Sequence, residues 1–148
     1  MCLRSLVKPE SRVPSVFAKL NLKGQSEILV VHAPPGFEPE LRTLEGVAVQ
    51  RDPAQVAAVS FALVFVVTQA ELDDLSALLA TKAPGDAVLW FAYPKQSSRR
   101  YRCEFNRDSG WDVIRAHGFD SVRQIAIDED WSALRFRRVE CIGRGAAR

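Results

Sequence analysis

The sequence is poor in the residues that hold folds together through disulfides or metals. It has three cysteines, Cys2, Cys103 and Cys141, which are far apart and form no CxxC pair, and only two histidines. An odd and scattered set of this kind predicts neither a disulfide framework nor a structural zinc site. We therefore expect a reducing, cytoplasmic environment and no metal or other cofactor.

Long apolar runs and strong net charge are also missing. The longest apolar run, Val56 to Val67, is interrupted by Ser60 and is too short for a membrane-spanning helix. The N-terminal segment has no apolar core of signal-peptide length. A formal net charge of +2 is far below what a nucleic-acid-binding domain usually carries. We expect neither a membrane nor a nucleic acid as partner.

Length and composition are those of one globular domain. The chain has 148 residues, of which 47% are hydrophobic and 26% charged, which is enough to bury a sizeable core. Prolines and mixed charges predict a flexible N-terminal arm over residues 1–14. A single domain is expected over residues 15–141, followed by a flexible tail over residues 142–148.

Three apolar runs predict the centre of a parallel sheet. Ile28–Val31, Phe61–Val67 and Ala87–Ala92 are apolar throughout, which is typical of strands covered on both faces. After the second run, Thr68 and Glu71 have the capping-box spacing that begins a helix. The helix carries an apolar stripe of Leu72, Leu75, Leu78 and Leu79. Strand, helix and strand at this length predict a right-handed crossover.

The C-terminal half predicts an antiparallel ending to that sheet. Strands are expected over Val122–Ile127 and Ala133–Val139, and the turn Asp128-Glu129-Asp130 between them is too short for a crossover. A helix over Phe105–His117 and a short strand at Val47–Val49 complete the pattern. We predict a three-layer, Rossmann-like α/β fold, with a mostly parallel sheet of about six strands and an antiparallel C-terminal hairpin.

A candidate site follows from that topology. Ligands of open parallel sheets bind at the carboxyl ends of the strands, where the loops 32–37, 67–71 and 93–100 would meet. Cations and hydroxyls in the last loop suit a small anionic ligand. The predicted ligand-binding residues are Gly36, Asp52, Lys95, Ser97, Ser98 and Arg99. In the alternative, Lys95 pairs with a carboxylate and the arginines lie on a solvated face.

The sequence lacks the common motifs of nucleotide binding and of serine-hydrolase catalysis. Pro34 and Pro35 remove backbone amides from the loop in which nucleotide-binding folds place glycines, and no Walker loop or GxSxG motif occurs. No catalytic residue is predicted. Trp131 and Arg135 could anchor an interface in a homodimer or other protein-interaction domain, although Trp131 could equally cover the core of the hairpin.

Two resemblances follow from these segments. The motifs Tyr93-Pro94-Lys95 and WSALRF, which spans residues 131–136, resemble those of a small bacterial family of unknown function, over roughly residues 15 to 139. The order of elements is also similar to the class I methyltransferase fold with one unit missing. That resemblance implies a ribose-binding role for Asp52, while Pro34-Pro35-Gly36 departs from the motif that holds the methionine end of S-adenosylmethionine. A diverged methyltransferase-like enzyme is therefore the alternative to a binding module.

Overall fold

A six-stranded sheet organises the chain in a computed structural model, which describes residues 15–22, 25–44, 46–99, 101–105 and 109–146. The strands are β1 (Glu27–Val31), β2 (Ala48–Gln50), β3 (Phe61–Phe65), β4 (Val88–Pro94), β5 (Phe119–Ala126) and β6 (Trp131–Arg138). The helices are α1 (Ser15–Lys19), α2 (Glu38–Arg42), α3 (Gln69–Lys82), α4 (Asp112–Ala116) and α5 (Val139–Ala146), with short 3₁₀ turns at Pro35–Phe37 and Pro53–Gln55. The predicted arm over residues 1–14 lies outside the described residues.

The strand order is β2-β1-β3-β4-β6-β5. Strands β1 to β4 are parallel, and β6 is antiparallel to both β4 and β5. The prediction of a mostly parallel α/β sheet with an antiparallel C-terminal hairpin is confirmed. Because β1, β3 and β4 run in one direction, Pro34-Pro35-Gly36 and Tyr93-Pro94-Lys95 lie at the same edge of the sheet, which we call the carboxyl edge.

Two apolar cores cover the two faces of the sheet. Side chains alternate along β4, so this strand contributes residues to both cores. Leu89, Phe91 and Tyr93 face the core that includes residues of α3 and α4. Val88, Trp90 and Ala92 face the other core, under α1 and α2. There the fully buried Trp90 donates its Nε1 hydrogen bond to the Leu20 carbonyl at 2.8 Å, which satisfies the indole N–H and fixes the chain after α1 to the sheet.

Helix α3 begins as its sequence predicts. The Thr68 side chain accepts from the Glu71 backbone N–H at 3.1 Å, and the Glu71 carboxylate accepts from the Thr68 N–H at the same distance. The reciprocal pair satisfies donors that a helix start leaves free. Of the predicted stripe, Leu72, Leu75 and Leu79 are buried, but Leu78 is 37% exposed. The stripe is therefore narrower than predicted.

Element boundaries differ most around the C-terminal half. The helix expected over residues 105–117 is reduced to α4, and residues 106–108 lie outside the description. Gly110 has φ +99°, and a Cβ there would lie 2.6 Å from the Cβ of Phe105, so the chain bends at this glycine just before α4. Strand β5 begins at Phe119, before the predicted start, and carries a bulge between Ser121 and Arg123. Helix α5 includes residues 142–146, which were expected to form part of a tail.

Candidate ligand-binding site

Two open clefts lie beyond the carboxyl end of β4. One, the turn cleft, has a volume of about 520 Å³ and is lined by Ser97, Arg99, Asp128, Glu129 and Asp130. The other, the lysine cleft, has a volume of about 390 Å³. It is lined by Lys95, Gln96, Ser98, Tyr101, Arg102, Cys103, Glu104, Phe105 and Ser109. The predicted cluster of cations and hydroxyls is therefore divided between two clefts.

Backbone and hydroxyl hydrogen bonds fasten the loop after β4 to the hairpin turn. The Lys95 N–H donates to the Asp130 carbonyl at 2.8 Å, and the Ser98 N–H closes a turn onto the Lys95 carbonyl at 3.0 Å. The Ser98 hydroxyl donates to Asp130 Oδ1 at 2.9 Å and accepts from the Tyr101 N–H at 3.1 Å. The wall between the two clefts is thus built by Ser98 and Asp130 rather than by a basic side chain.

The described cations of this loop have no carboxylate partner among the described residues. Within the described part of the chain, the side chains of Lys95, Arg99 and Arg102 form no hydrogen bond or ion pair. In the lysine cleft their counterpart is Glu104, whose Oε1 already accepts from the Gln69 N–H at 2.8 Å. Half-buried Lys95 therefore offers an ammonium group with all its donors free to an anion.

A row of aromatic rings runs beneath the carboxyl edge. Phe37 contacts Phe65 at a centroid distance of 5.1 Å, Phe65 contacts Trp131 at 5.1 Å, and Trp131 contacts Tyr101 at 4.9 Å. Trp131 is only 4% exposed and packs in the core, as the second of its two sequence interpretations expects. Arg135 is half-buried on the same strand. An interface role for Trp131 and Arg135 stays a prediction.

The loop after β1 and the first turn of α3 meet at a histidine and a glutamate. His32 has φ +61°, an uncommon conformation for a residue with a side chain, and its Nδ1 lies 3.7 Å from Glu71 Oε2. Glu71 also accepts from the Val67 N–H at 2.8 Å. Since the side chain of His32 is 54% exposed, the pair is a weak electrostatic contact at the rim rather than a buried catalytic dyad.

The remaining predicted ligand residues lie away from both clefts. Gly36 is exposed in the turn after β1, and a Cβ there would meet no atom within 4 Å, so the local packing does not require glycine. Asp52 is exposed after β2, and its Oδ1 accepts from the Ala54 N–H at 3.0 Å. The structure brings Lys95 and Ser98 together in the lysine cleft, while Gly36 and Asp52 belong to the β1–β2 side of the edge.

An ion pair that sequence reasoning missed joins the start of α2 to the end of β2. Arg51 donates two hydrogen bonds to the Glu38 carboxylate, at 2.9 and 2.8 Å. This bidentate hydrogen bonding lowers the pKa of Glu38. Nothing in the sequence singles out these two residues, because cations and carboxylates are both abundant.

Cys103 borders the lysine cleft but is not activated. Burial raises the pKa of its thiol, and the carboxylate of Glu104 acts in the same direction. A raised pKa keeps the sulfur protonated and a poor nucleophile at neutral pH. The neighbouring Arg102 does not reverse this.

Two further kinds of feature are absent from the described ranges. No cluster of three or more histidine, cysteine, aspartate or glutamate side chains has the arrangement of a metal site. No helix there combines the length and the hydropathy that crossing a bilayer requires.

Comparison with known proteins relates the chain to methyltransferases through its fold. No protein-family model and no curated protein matches the sequence, so the resemblance to a small bacterial family carried by the motifs at 93–95 and 131–136 stays a prediction. Among solved structures, a protein assigned to the type 11 methyltransferases of Sulfolobus solfataricus aligns with 88% of this chain and 92% of its own, with a TM-score of 0.54 and 10% identity.

Two ligand-bound structures give similar agreement. Magnesium protoporphyrin IX methyltransferase of Synechocystis PCC 6803, with bound SAM, aligns over 87% of this chain and 77% of its own, with a TM-score of 0.53 and 13% identity. The N-methyltransferase NodS of Bradyrhizobium japonicum WM9, in complex with S-adenosyl-L-homocysteine, aligns over 91% and 90%, with a TM-score of 0.53 and 12% identity. The chain therefore has a methyltransferase-like Rossmann fold.

The residues at the β1–β2 side fit S-adenosylmethionine poorly. Pro34 and Pro35 supply no amide donors to the cofactor, whereas Asp52 uses only its Oδ1 to cap the following turn. The Arg51–Glu38 pair joins the start of α2 to the end of β2 on this side of the sheet. We therefore derive no chemical step that involves this cofactor.

Proposed function

We propose that the chain is a diverged methyltransferase-like protein with a degenerate methyl-donor site, and that it binds a small anionic ligand in the lysine cleft. The fold and its solved neighbours support the first half of this proposal. The observation that carries the second half is the pair of cations, Lys95 and Arg102, that line one cleft and have no carboxylate partner among the described residues.

The lysine cleft has the chemistry for an anion with an apolar portion. Lys95 and Arg102 would contact a carboxylate or phosphoryl group through charge-assisted hydrogen bonds. The hydroxyl-bearing residues Ser98 and Ser109 line the same cleft, while Tyr101 and Phe105 provide aromatic surface. Ser97 and Arg99, in the turn cleft, would add positive charge and hydrogen-bonding capacity at the rim.

Binding without methyl transfer is the activity we propose. Among the described groups lining the lysine cleft, Glu104 is the carboxylate, and it holds the backbone of Gln69. The thiol of Cys103 is protonated because burial raises its pKa. No pair of groups there is arranged as an activated nucleophile with its base.

Thermal-shift measurement with inorganic phosphate, citrate and S-adenosylmethionine tests the proposal. We expect phosphate or citrate to raise the melting temperature, and Lys95→Ala and Arg102→Ala each to weaken that binding about tenfold, the effect of removing a charged hydrogen bond. Arg42→Ala, which removes an exposed cation from α2, is the matched control and should leave the shift unchanged.

Calorimetry separates this proposal from the retained enzyme. Saturable heat from S-adenosylmethionine that survives Lys95→Ala would show that the methyl-donor site is intact and would overturn the first half. Anion-induced shifts that are equal in the native chain and both cleft variants would overturn the second half.

A further inference from the structure

Three arginines lie together on one face of the C-terminal hairpin. Arg123 of β5 is paired directly with Arg135 of β6, and Arg137 follows two residues later, on the same face as Arg135 because side chains alternate along a strand. We call Arg123, Arg135 and Arg137 the arginine patch. It shares its face with Ala133 and with the core under α1 and α2.

The patch has more positive charge than its surroundings neutralise. Arg137 donates two hydrogen bonds to Asp86, at 2.8 and 2.6 Å. Arg123 and Arg135 have no carboxylate partner in the parts of the chain that are described. Asp120, which is paired with Arg137 in the ladder, is held by Arg115 at 3.3 Å instead. Like charges that face each other across a strand pair are unfavourable.

The Arg135 guanidinium is the centre of this imbalance. Burial is the main cause that lowers its pKa, and the positive charges of Arg137 and Arg123 lower it further, against the attraction of Asp86. Its Nε is buried and donates to no acceptor among the described residues. A buried donor without an acceptor costs free energy. An oxyanion that contacts the guanidinium groups of Arg123 and Arg135 would supply the missing negative charge.

We propose that Arg123 and Arg135 form a binding site for a phosphoryl group on this face of the sheet, with Arg137 as a neighbouring cation that Asp86 holds in place. Three guanidinium groups and one carboxylate leave a charge of about +2, which matches the charge of about −1.5 to −2 on a phosphate monoester. This site shares no residue with the lysine cleft, so neither proposal depends on the other.

NMR observation of the arginine side chains tests the site directly. In a chain labelled with ¹⁵N, we expect the Nε–Hε signals of Arg123 and Arg135 to shift saturably with millimolar inorganic phosphate, and not with chloride at the same ionic strength. Arg123→Ala should weaken the phosphate response of Arg135 about tenfold, and folding is not at risk because Arg123 is exposed. Arg42→Ala, which removes an exposed cation from α2 that has no part in the patch, is the control and should change nothing.

Several outcomes would overturn the inference. These are equal shifts with chloride and phosphate, an Arg135 response that persists unchanged in Arg123→Ala, or loss of the response in Lys95→Ala, which would assign it to the lysine cleft. A single-stranded oligonucleotide distinguishes the source of the phosphoryl group. Shifts that occur with the polymer but not with inorganic phosphate would contradict a phosphate-monoester site. If the Nε–Hε signals are broadened by exchange, the phosphate-induced rise in melting temperature is compared between Lys95→Ala and the double variant Lys95→Ala/Arg123→Ala. Its loss on adding the second substitution provides the same test, because the lysine cleft is disabled in both.

Discussion

The two ends of the carboxyl edge have opposite electrostatic arrangements. At the β1–β2 end, the cation Arg51 is bound to the carboxylate of Glu38 by two hydrogen bonds. At the β4 end, Lys95 and Arg102 have no such partner within the described chain. The cation at the β1–β2 end is already neutralised by a carboxylate. The cations around the lysine cleft remain available to an anionic ligand. The same fold thus places its candidate site at the β4 end, away from the crevice that the methyltransferase resemblance indicates.

The largest effect is expected where the β4 end meets the core. Trp131→Ala removes an indole that is 4% exposed and contacts both Phe65 and Tyr101. We expect the free energy of unfolding to fall by about 3–5 kcal/mol, as for other large aromatic residues replaced in cores. Chemical denaturation measures the change, and Trp131→Phe should recover much of it. An unchanged denaturation midpoint for Trp131→Ala would show that the ring row does not support this end.

A smaller effect is expected between the two ends, at the start of α3. Glu71→Ala leaves the N–H groups of Val67 and Thr68 without their acceptor. We expect a loss of about 1–3 kcal/mol in unfolding free energy, which is the cost of unpaired backbone donors. Asp74→Ala on the exposed side of the same helix is the matched control. Equal losses in both variants would mean that helix charge, rather than capping, is responsible.

The smallest effect is expected at the β1–β2 end, and it depends on pH. Arg51 lowers the pKa of Glu38 from its ordinary value of 4.5, so the pair stabilises the fold above that value and stops doing so as pH falls through the lowered pKa. Arg51→Ala should therefore change stability slightly and uniformly above about pH 5, and the difference from the native chain should shrink below pH 4.5. Urea denaturation at several pH values measures it. A difference that grows in acid would contradict the assigned pair.

The parts of the fold that the sequence predicts are those with local signals. The apolar runs predict the central strands, and the spacing of Thr68 and Glu71 predicts the start of α3, because both patterns involve neighbouring residues. The two glycines of α5, Gly143 and Gly145, instead suggest a tail. The bend at Gly110 depends on its close contact with Phe105. The periodicity of apolar residues carries no information about that contact, so it did not predict the bend.

The candidate site is less predictable because its contacts are long-range. The loop after β4 was expected to present one basic cluster. Its division into two clefts depends on Ser98 and Asp130, which are 32 residues apart in sequence. The Arg137–Asp86 pair spans 51 residues. With 20 cationic and 18 acidic residues, charge alone does not identify which side chains are paired and which are left free.

The bulge in β5 affects how readily copies of this chain associate through their sheet edges at high protein concentration. As an edge strand of the sheet, β5 has backbone N–H and C=O groups on its outer side that could pair with a strand of another molecule. The irregular register between Ser121 and Arg123 interrupts that row, and a charged guanidinium follows immediately. Side-by-side stacking of many molecules into fibrils is thereby discouraged by the shape of the strand itself.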